Sequence, residues 1–204
     1  MFGDAVPAFH KLIDMETVHV VVPASPTIFL CGGDISDTSK VTSLRGAFLR
    51  MAYDTPLNVY EVFIAEDLNA FFPRGTYKDL LSFESDLAQI ATLIVVFPES
   101  YGSAAELGAF AAKDEIAKRL LVVIDDKRYN ENSFIKLGPV LTLQVHVGRS
   151  SVYVIDRADL NVRSFTDFSK LDYSYFKTAM LEALTERVKS IERSSTFNPL
   201  SRGI

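Results

Sequence analysis

The sequence predicts an open α/β fold, a Rossmann-like parallel sheet with helices on both faces. Short runs of apolar and often β-branched residues, such as residues 93–97 and 27–31, are typical of strands buried on both faces. Segments whose apolar residues recur at helical spacing alternate with these runs. Alternating strands and helices indicate a parallel sheet whose crossover helices cover both of its faces.

The elements follow in chain order from these two patterns. Apolar runs predict strands over residues 27–31, 58–65, 93–97, 119–124 and 152–155. Helical spacing predicts helices over residues 39–53, 77–91, 103–112 and 174–193. Leu141, Leu143 and Val145 alternate with polar residues, which predicts an edge strand over residues 140–147 after a polar loop.

The length of 204 residues suits one main domain with small additions. We divide the chain into an N-terminal arm or short helix (1–26), an α/β domain (27–156) and a C-terminal helical extension with a loose tail (157–204). The amphipathic stripe of the last helix is typical of a helix that docks on its own domain, although a partner or a second copy of the chain is the alternative. A homo-oligomer is therefore left open.

The composition excludes several classes of protein. A net charge of −5 argues against a broad nucleic-acid surface. One cysteine, Cys31, allows no intramolecular disulfide, and the three histidines lack metal-ligand spacing, so no metal is expected. No apolar run is long enough to span a membrane, and the N-terminus does not resemble a signal peptide. A cytoplasmic location is the expectation.

The most informative stretch is the one that follows the strand over residues 93–97. Pro98 ends this strand, a turn follows, and Ser103 is expected to begin a helix. Glu106 would then lie in the first turn, at the crevice where open α/β sheets bind ligands. The spacing Ser103-x-x-Glu106 also fits a capping box, and on spacing alone a helix cap is the more frequent role.

Gly32 and Gly33 end the first predicted strand. Two glycines there let a ligand or another backbone come close, although a plain tight turn is the commoner explanation. They do not complete a dinucleotide fingerprint or a phosphate loop. Arg45 lies on the next predicted helix, where an arginine is more often solvated than bound to a phosphate.

Several segments resemble a known family when they are taken together. They are residues 28–34 (Ile-Phe-Leu-Cys-Gly-Gly-Asp), 66–68 (Glu-Asp-Leu), 80–84 (Leu-Leu-Ser-Phe-Glu), 97–110 (Phe-Pro-Glu-Ser-Tyr-Gly-Ser-Ala-Ala-Glu-Leu-Gly-Ala-Phe), and 133–135 with 138–139. In this order they resemble the nucleoside deoxyribosyltransferase-like effectors of bacterial retron anti-phage systems, over roughly residues 27 to 143. The segment at 97–110 is the specific one.

The resemblance implies a flavodoxin-like domain that cleaves the N-glycosidic bond of a nucleoside-type substrate. The nucleophilic glutamate of deoxyribosyltransferases corresponds to Glu106. The retron effectors resemble an N-glycosidase that depletes NAD, with a reverse transcriptase and its DNA–RNA hybrid as inhibitory partners. A second acidic residue beside the substrate is implied as well, and Glu84, Asp86 and Glu99 are the candidates.

The chemistry of C1′–N bond cleavage favours some nucleotide substrates over others. Cleavage of a C1′–N bond passes through an oxocarbenium-like state that a carboxylate such as Glu106 can stabilise or trap. Nicotinamide leaves NAD without needing a proton, so one glutamate without a catalytic histidine fits NAD, as substrate rather than cofactor. Glu84 is expected to hold ribose hydroxyls. The remaining predicted substrate-binding residues lie in the turn after the first strand, in the turn after the strand over residues 93–97 and the start of its helix, and on the predicted helices 39–53 and 77–91. They are Gly32, Gly33, Arg45, Asp86, Glu99, Ser100, Gly102 and Ser103.

Two other functions stay open at this point. A deoxyribosyltransferase or nucleotide hydrolase of nucleotide metabolism would use the same carboxylates without a partner. A nucleotide-sensing module would use Glu106 only to cap a helix.

Overall fold

A five-stranded sheet forms the centre of the computed structural model, which describes residues 25–37, 40–53, 57, 59–68, 77–162 and 167–195. The strands are β1 (Thr27–Cys31), β2 (Glu61–Phe63), β3 (Leu93–Val96), β4 (Leu120–Asp125) and β5 (Val152–Ile155). The helices are α1 (Leu44–Ala52), α2 (Ala65–Leu68), α3 (Leu80–Ile90), α4 (Tyr101–Ala111), α5 (Asp114–Ala117), α6 (Asp126–Asn130), α7 (Leu141–His146) and α8 (Tyr173–Ser195). A kinked helical segment, Lys136–Val140, precedes α7, and a short 3-10 turn, Arg149–Ser151, precedes β5.

All neighbouring strands are parallel, in the order β2-β1-β3-β4-β5. Leu30 of β1 lies opposite Val95 of β3 in this register. The order is that of flavodoxin-like sheets, and the direction of winding reverses between β1 and β3. The predicted parallel α/β fold is confirmed.

The two faces of the sheet are covered by different helices. On one face, Leu30 and Val95 pack against α1 and α8, with Phe48 and Phe176 among the buried rings. On the other face, Phe29 packs with residues of α3, α4, α5 and α7. Because side chains alternate along a strand, each central strand supplies both cores, which explains its unbroken apolar sequence.

Polar residues fix the starts of the helices, and most predicted boundaries are right to within a few residues. Ser43 caps α1, since its Oγ accepts a hydrogen bond from the Gly46 N–H at 2.9 Å. Asp79 caps α3 in the same way, through the Ser82 N–H at 2.7 Å. The strand predicted over residues 58–65 is confined to β2.

The predicted edge strand over residues 140–147 is wrong, because this segment forms α7. Val140 and Leu143 are fully buried, whereas Leu141 and Val145 are exposed. Together with Val147, which packs on the same core, the buried residues have helical spacing. The alternation of Leu141, Leu143 and Val145 predicts that all three lie on one face of a strand. In the helix, Leu143 points into the core, whereas Leu141 and Val145 are exposed. The preceding polar loop is also largely helical.

The helix predicted to begin at Ser103 begins at Tyr101, and Ser100 is its N-cap. The Ser100 Oγ accepts from the Ser103 N–H at 3.1 Å, and the Ser103 Oγ accepts from the Ser100 N–H at 3.0 Å. This reciprocal pair is the capping box of α4. The interpretation of Glu106 as the capping carboxylate is wrong, and Glu106 lies in the second turn of α4, beyond the cap.

The predicted C-terminal helix is confirmed as α8, which packs on the sheet. A buried arginine, Arg187, holds it there by donating from Nε to the Leu120 carbonyl at 2.7 Å and from Nη2 to the Lys118 carbonyl. Burial lowers the pKa of Arg187 to about 10.

Most of the predicted N-terminal arm and loose tail lies outside the described residues, and the division into domains stays a prediction. Within the described ranges, no helix has the length and apolar character that a membrane span requires.

Candidate active site

A pocket of about 120 Å³ opens at the carboxyl end of β1, beside the point where the sheet reverses its winding. This is where open α/β sheets bind ligands. Its polar lining comes from five elements: Cys31 ends β1, Arg45 is on α1, Glu66 is on α2, Glu84 is on α3 and Glu106 is on α4. A wider cavity of about 790 Å³ lies elsewhere, beside Lys40 and Tyr173. Among its described lining residues Asp167 is the one carboxylate, so paired carboxylates distinguish the smaller pocket.

Glu84 and Glu106 come together in this pocket from two neighbouring helices. Burial and the negative charge of Glu84 raise the pKa of Glu106 to about 7. Burial also raises the pKa of Glu84, while a hydrogen bond with Glu106 opposes that rise. Two carboxyl groups in such contact hold one proton between them near neutral pH.

One oxygen of Glu106 has no protein partner. Its Oε2 atom is buried and makes no hydrogen bond to any residue that the structure describes. A buried acceptor without a partner is costly, and native proteins keep few of them. Because Glu106 lines the pocket, a ligand donor that reaches this atom would satisfy it.

Cys31 lines the pocket together with Glu106 and affects the pKa of that carboxyl. Its thiol is almost fully buried at the end of β1, and burial, followed by the negative charge of Glu106, raises the pKa of the thiol well above its ordinary value. The thiol is thus neutral and donates a hydrogen bond to Glu106, which opposes the rise in the pKa of that carboxyl. The sequence suggested only a buried strand residue here.

Arg45 and Glu66 form the opposite wall. The guanidinium donates from Nη1 to Glu66 Oε1 at 2.8 Å and from Nη2 to Glu66 Oε2 at 2.6 Å. Arg45 is 5% exposed, and the bidentate pair lowers the pKa of Glu66. The structure thus places Arg45 in the pocket but commits the end of its side chain to Glu66.

Glu66 is a residue that the sequence analysis missed as part of the site. The sequence places it only in the segment over residues 66–68 that resembles the retron effectors, without a role. A signal was present, because Glu66 closely follows β2, and the carboxyl ends of parallel strands share one edge of the sheet.

Glu99 is close to Glu106 in the sequence, but its carboxylate does not line the pocket and makes different contacts. Its Oε1 accepts from the Leu44 N–H at 2.8 Å, and its Oε2 accepts from the N–H groups of Gly33 and Arg45 at 3.3 and 3.2 Å. Burial raises the pKa of Glu99, and these three donors oppose the rise. The carboxylate thus occupies the N-terminus of α1.

The two glycines after β1 are required by packing. A Cβ atom on Gly32 would lie 2.6 Å from the Arg45 Cβ, and one on Gly33 would lie 2.9 Å from the Ser43 Cβ. Both distances are shorter than any ordinary contact, so the glycines allow α1 to approach the end of β1. The Gly33 N–H already donates to Glu99.

The remaining predicted substrate-binding residues lie outside the pocket lining. The hydroxyl groups of Ser100 and Ser103 belong to the capping box of α4, and Gly102 is exposed beside them. Asp86 is exposed on α3 and accepts a hydrogen bond from the Tyr77 hydroxyl at 2.9 Å. The structure therefore gathers three predicted residues, Glu106, Glu84 and Arg45, in one pocket.

The charges of the pocket favour some ligand groups over others. Three carboxyl groups, two of which share a proton, face a single guanidinium that Glu66 already neutralises. The net charge of this lining is negative, which disfavours a phosphate and favours a cationic group. Within the described part of the chain, no cluster of histidine, cysteine and acidic residues fits a metal ion.

The fold and pocket define an α/β protein with a paired-carboxylate site at the switch point of its sheet. A family model described as "STM3845 retron effector protein" matches residues 41–203 of the chain. The chain therefore belongs to this family of retron effectors.

Two curated relatives come from Escherichia coli. The "Retron Ec86 putative ribosyltransferase/DNA-binding protein" is 37% identical over 120 residues, which are 58% of this chain and 37% of that protein. The "Retron Ec73 putative ribosyltransferase/DNA-binding protein" is 32% identical over 141 residues, which are 67% of this chain and 43% of that protein. The matched part thus spans about two fifths of the length of these relatives.

Proposed function

We propose that the chain is an N-glycosidase that cleaves the C1′–N bond of a nucleotide, with NAD as the substrate and nicotinamide and ADP-ribose as the products. The observation that carries the proposal is the pair of Glu84 and Glu106, in which Glu106 has a pKa of about 7. Membership of the retron effector family and the ribosyltransferase names of the two relatives support glycosyl chemistry in this pocket.

Glu106 is the residue that meets the sugar. As the C1′–N bond breaks, its electron pair passes to the nicotinamide nitrogen and cancels the positive charge of the ring. Positive charge then develops on the sugar at C1′ and its ring oxygen. The ionised Glu106 carboxylate stabilises this charge or forms a bond to C1′.

The negative pocket favours NAD over substrates with a neutral base. A cationic nicotinamide ring near Glu106 favours the ionised carboxyl and so lowers its pKa. Binding of NAD thus helps to remove the proton that Glu84 and Glu106 share and to produce the reactive carboxylate. Because the bond-breaking step needs no proton, a protonated histidine or other general acid is not required.

The second half of the reaction consumes water. The water oxygen bonds to C1′, and one proton passes to Glu84 and then to solvent. Glu84 lies in hydrogen-bonding contact with Glu106 and has a raised pKa, which suits a group that accepts a proton near neutral pH. The sum is NAD plus water giving nicotinamide, ADP-ribose and one proton.

A neutral-base substrate is the second candidate, and the shared proton is the observation that favours it. A purine leaving group needs a proton, and the protonated member of the pair could donate one. This reading corresponds to a nucleoside deoxyribosyltransferase or a nucleotide hydrolase. Transfer of the sugar to a second base, rather than to water, would distinguish it.

The test is to follow nicotinamide and ADP-ribose release from NAD by the full chain and by Glu106→Gln. We expect a loss of roughly 10³-fold or more in the variant, because it removes the charge that the transition state needs. Asp86→Asn is the matched control, since Asp86 is an exposed carboxylate on the same helix as Glu84. It should leave the rate unchanged.

We also propose that partners control this activity. Retron effectors act within systems that contain a reverse transcriptase and its DNA–RNA hybrid, and the relatives' names include DNA binding. The net charge of −5 suits contact with nucleic acid through a partner protein rather than directly. The release assay is therefore run with and without these partners. A wild-type chain that releases no nicotinamide in either case contradicts the proposal, and base exchange or binding without turnover would then identify the deoxyribosyltransferase or sensing function.

A further inference from the structure

We infer that Arg45 and Glu106 together recognise the 2′-hydroxyl of the sugar whose bond is cleaved, so that the pocket selects ribose over 2′-deoxyribose. This inference rests on the proposed function, because it assigns the reacting sugar to the same pocket. It makes Arg45 a residue of sugar specificity rather than of phosphate binding.

The first observation is an unused donor. Arg45 is 5% exposed, and the two terminal nitrogens of its guanidinium are committed to Glu66, with Nη1 also 3.3 Å from the Gly33 carbonyl. Its Nε–H has no hydrogen-bond partner in the described part of the protein. Since almost all buried donors in native proteins are satisfied, this atom is expected to meet a ligand or a water molecule.

The second observation is an unused acceptor in the same pocket. Glu106 Oε2 is also buried without a partner among the described residues. Arg45 and Glu106 both line the same pocket of about 120 Å³, and the positive charge of Arg45 lowers the pKa of Glu106. One unpaired donor and one unpaired acceptor on residues of a single small pocket match a group that both accepts and donates. A hydroxyl is the simplest such group.

The position of Glu106 decides which hydroxyl this is. If one oxygen of Glu106 faces C1′, the other lies beside the adjacent carbon, C2′. Hydrogen bonds between the catalytic carboxylate and a 2-hydroxyl strengthen in the transition state of retaining glycosidases. The 2′-hydroxyl would therefore donate to Glu106 Oε2 and accept from Arg45 Nε.

Glu66 has a role in this arrangement through Arg45. Its bidentate contact fixes the plane of the guanidinium and leaves Nε as the guanidinium nitrogen without a partner among the described residues, an arrangement that a lysine at the same position could not reproduce. Glu66 is thus a positioning residue, and it keeps a phosphate from using the terminal nitrogens of Arg45. A 2′-deoxy sugar would leave both buried atoms unpaired, and sites built to bind a hydroxyl reject such analogues strongly.

The experiment compares equilibrium binding of ADP-ribose and of its analogue that lacks the 2′-hydroxyl on the terminal ribose, measured by calorimetry with the full chain. We expect ADP-ribose to bind about 100-fold more tightly. Arg45→Lys should reduce this preference to a few-fold while Arg50→Lys, an exposed arginine on the same helix, keeps it. Thermal unfolding of each variant shows whether it is folded, and the wild-type comparison alone suffices if Arg45→Lys is not.

Equal binding of the two ligands, or binding of neither, overturns the inference. The outcome is separable from the test of catalysis. Selective binding without nicotinamide release would uphold the hydroxyl site and reject the glycosidase. Release of nicotinamide from NAD and from its 2′-deoxy analogue at similar rates would do the reverse.

Discussion

Glu99 and Glu106 flank the start of α4, and both carboxyls have raised pKa values because they are buried. Their surroundings differ in one respect. Glu99 accepts hydrogen bonds from three backbone N–H groups, those of Leu44 and Arg45 at the N-terminus of α1 and that of Gly33 after β1. Glu106 faces another carboxyl group, and one of its oxygens has no partner among the described residues.

The difference separates a carboxylate that holds the fold together from one that is available for chemistry. The three donors of Glu99 join the end of β1, α1 and the start of α4, so the elements that carry Arg45 and Glu106 are fixed relative to one another. Glu106 gains no comparable stabilisation from the fold. Its carboxyl group is kept in a costly environment, as is common for groups that act on substrates.

The largest expected effect on stability comes from Glu99→Gln. The amide keeps one acceptor but turns its NH₂ group toward a backbone donor, so we expect the free energy of unfolding to fall by about 2–4 kcal/mol. Urea denaturation measures the change. Glu115→Gln, which removes an exposed ion pair with Lys118, is the control and should leave the free energy of unfolding nearly unchanged. A Glu99 variant as stable as that control would show that the three hydrogen bonds contribute little.

Glu106→Gln is expected to have the opposite effect at alkaline pH. Because the pKa of Glu106 is raised to about 7, the folded protein binds an extra proton between its ordinary value, near 4.5, and that pH. Wild-type stability therefore falls as the pH rises through this window. We expect the variant to be more stable than the wild type by roughly 1–3 kcal/mol at pH 8, with a smaller difference at pH 5.

Urea denaturation at both pH values measures this difference. Asp86→Asn is the control and should show no pH-dependent difference from the wild type, since that carboxyl is exposed and lies outside the pocket lining. A Glu106 variant that is destabilised equally at both pH values would mean that the carboxyl supports the fold, as Glu99 does.

The smallest effect is expected from Ser100→Ala. This variant removes the N-cap of α4 without touching either glutamate, and the loss of such a cap costs about 1 kcal/mol. We expect nicotinamide release to be nearly unchanged while the melting temperature falls by a few degrees. A large loss of activity at full stability would instead place the Ser100 hydroxyl in contact with the substrate.

The fold could be predicted because buried parallel strands have a recognisable pattern in the local sequence. Each of β1, β3 and β4 is covered on both faces, so its sequence is an unbroken apolar run. The prediction of secondary structure failed where the local sequence pattern was ambiguous. The segment that forms α7 has both a two-residue and a helical pattern, and the buried pair of Val140 and Leu143 decides between them only once the neighbouring helices are known.

The site was predictable in part for a related reason. Glu106 was predicted because its helix follows the central strand at the crevice of the sheet, and Glu84 because the resemblance implies a second acidic residue. Cys31 and Glu66 lie in segments that also resemble the family, but they were missed because their contacts are made across the ends of different strands and helices. The sequence could not show that Glu99 fills the N-terminus of α1, since this contact joins residues that are far apart in the chain.

The most direct measurement for the account of the Glu84–Glu106 pair is a ¹³C NMR titration of the glutamate carboxyl groups in the wild type and in Glu84→Gln. The Glu106 signal should titrate at about pH 7 in the wild type. In the variant its midpoint should fall, because the neighbouring negative charge is gone. A wild-type midpoint close to the ordinary glutamate value, unchanged by Glu84→Gln, would show that the two carboxyl groups do not interact and would contradict the account.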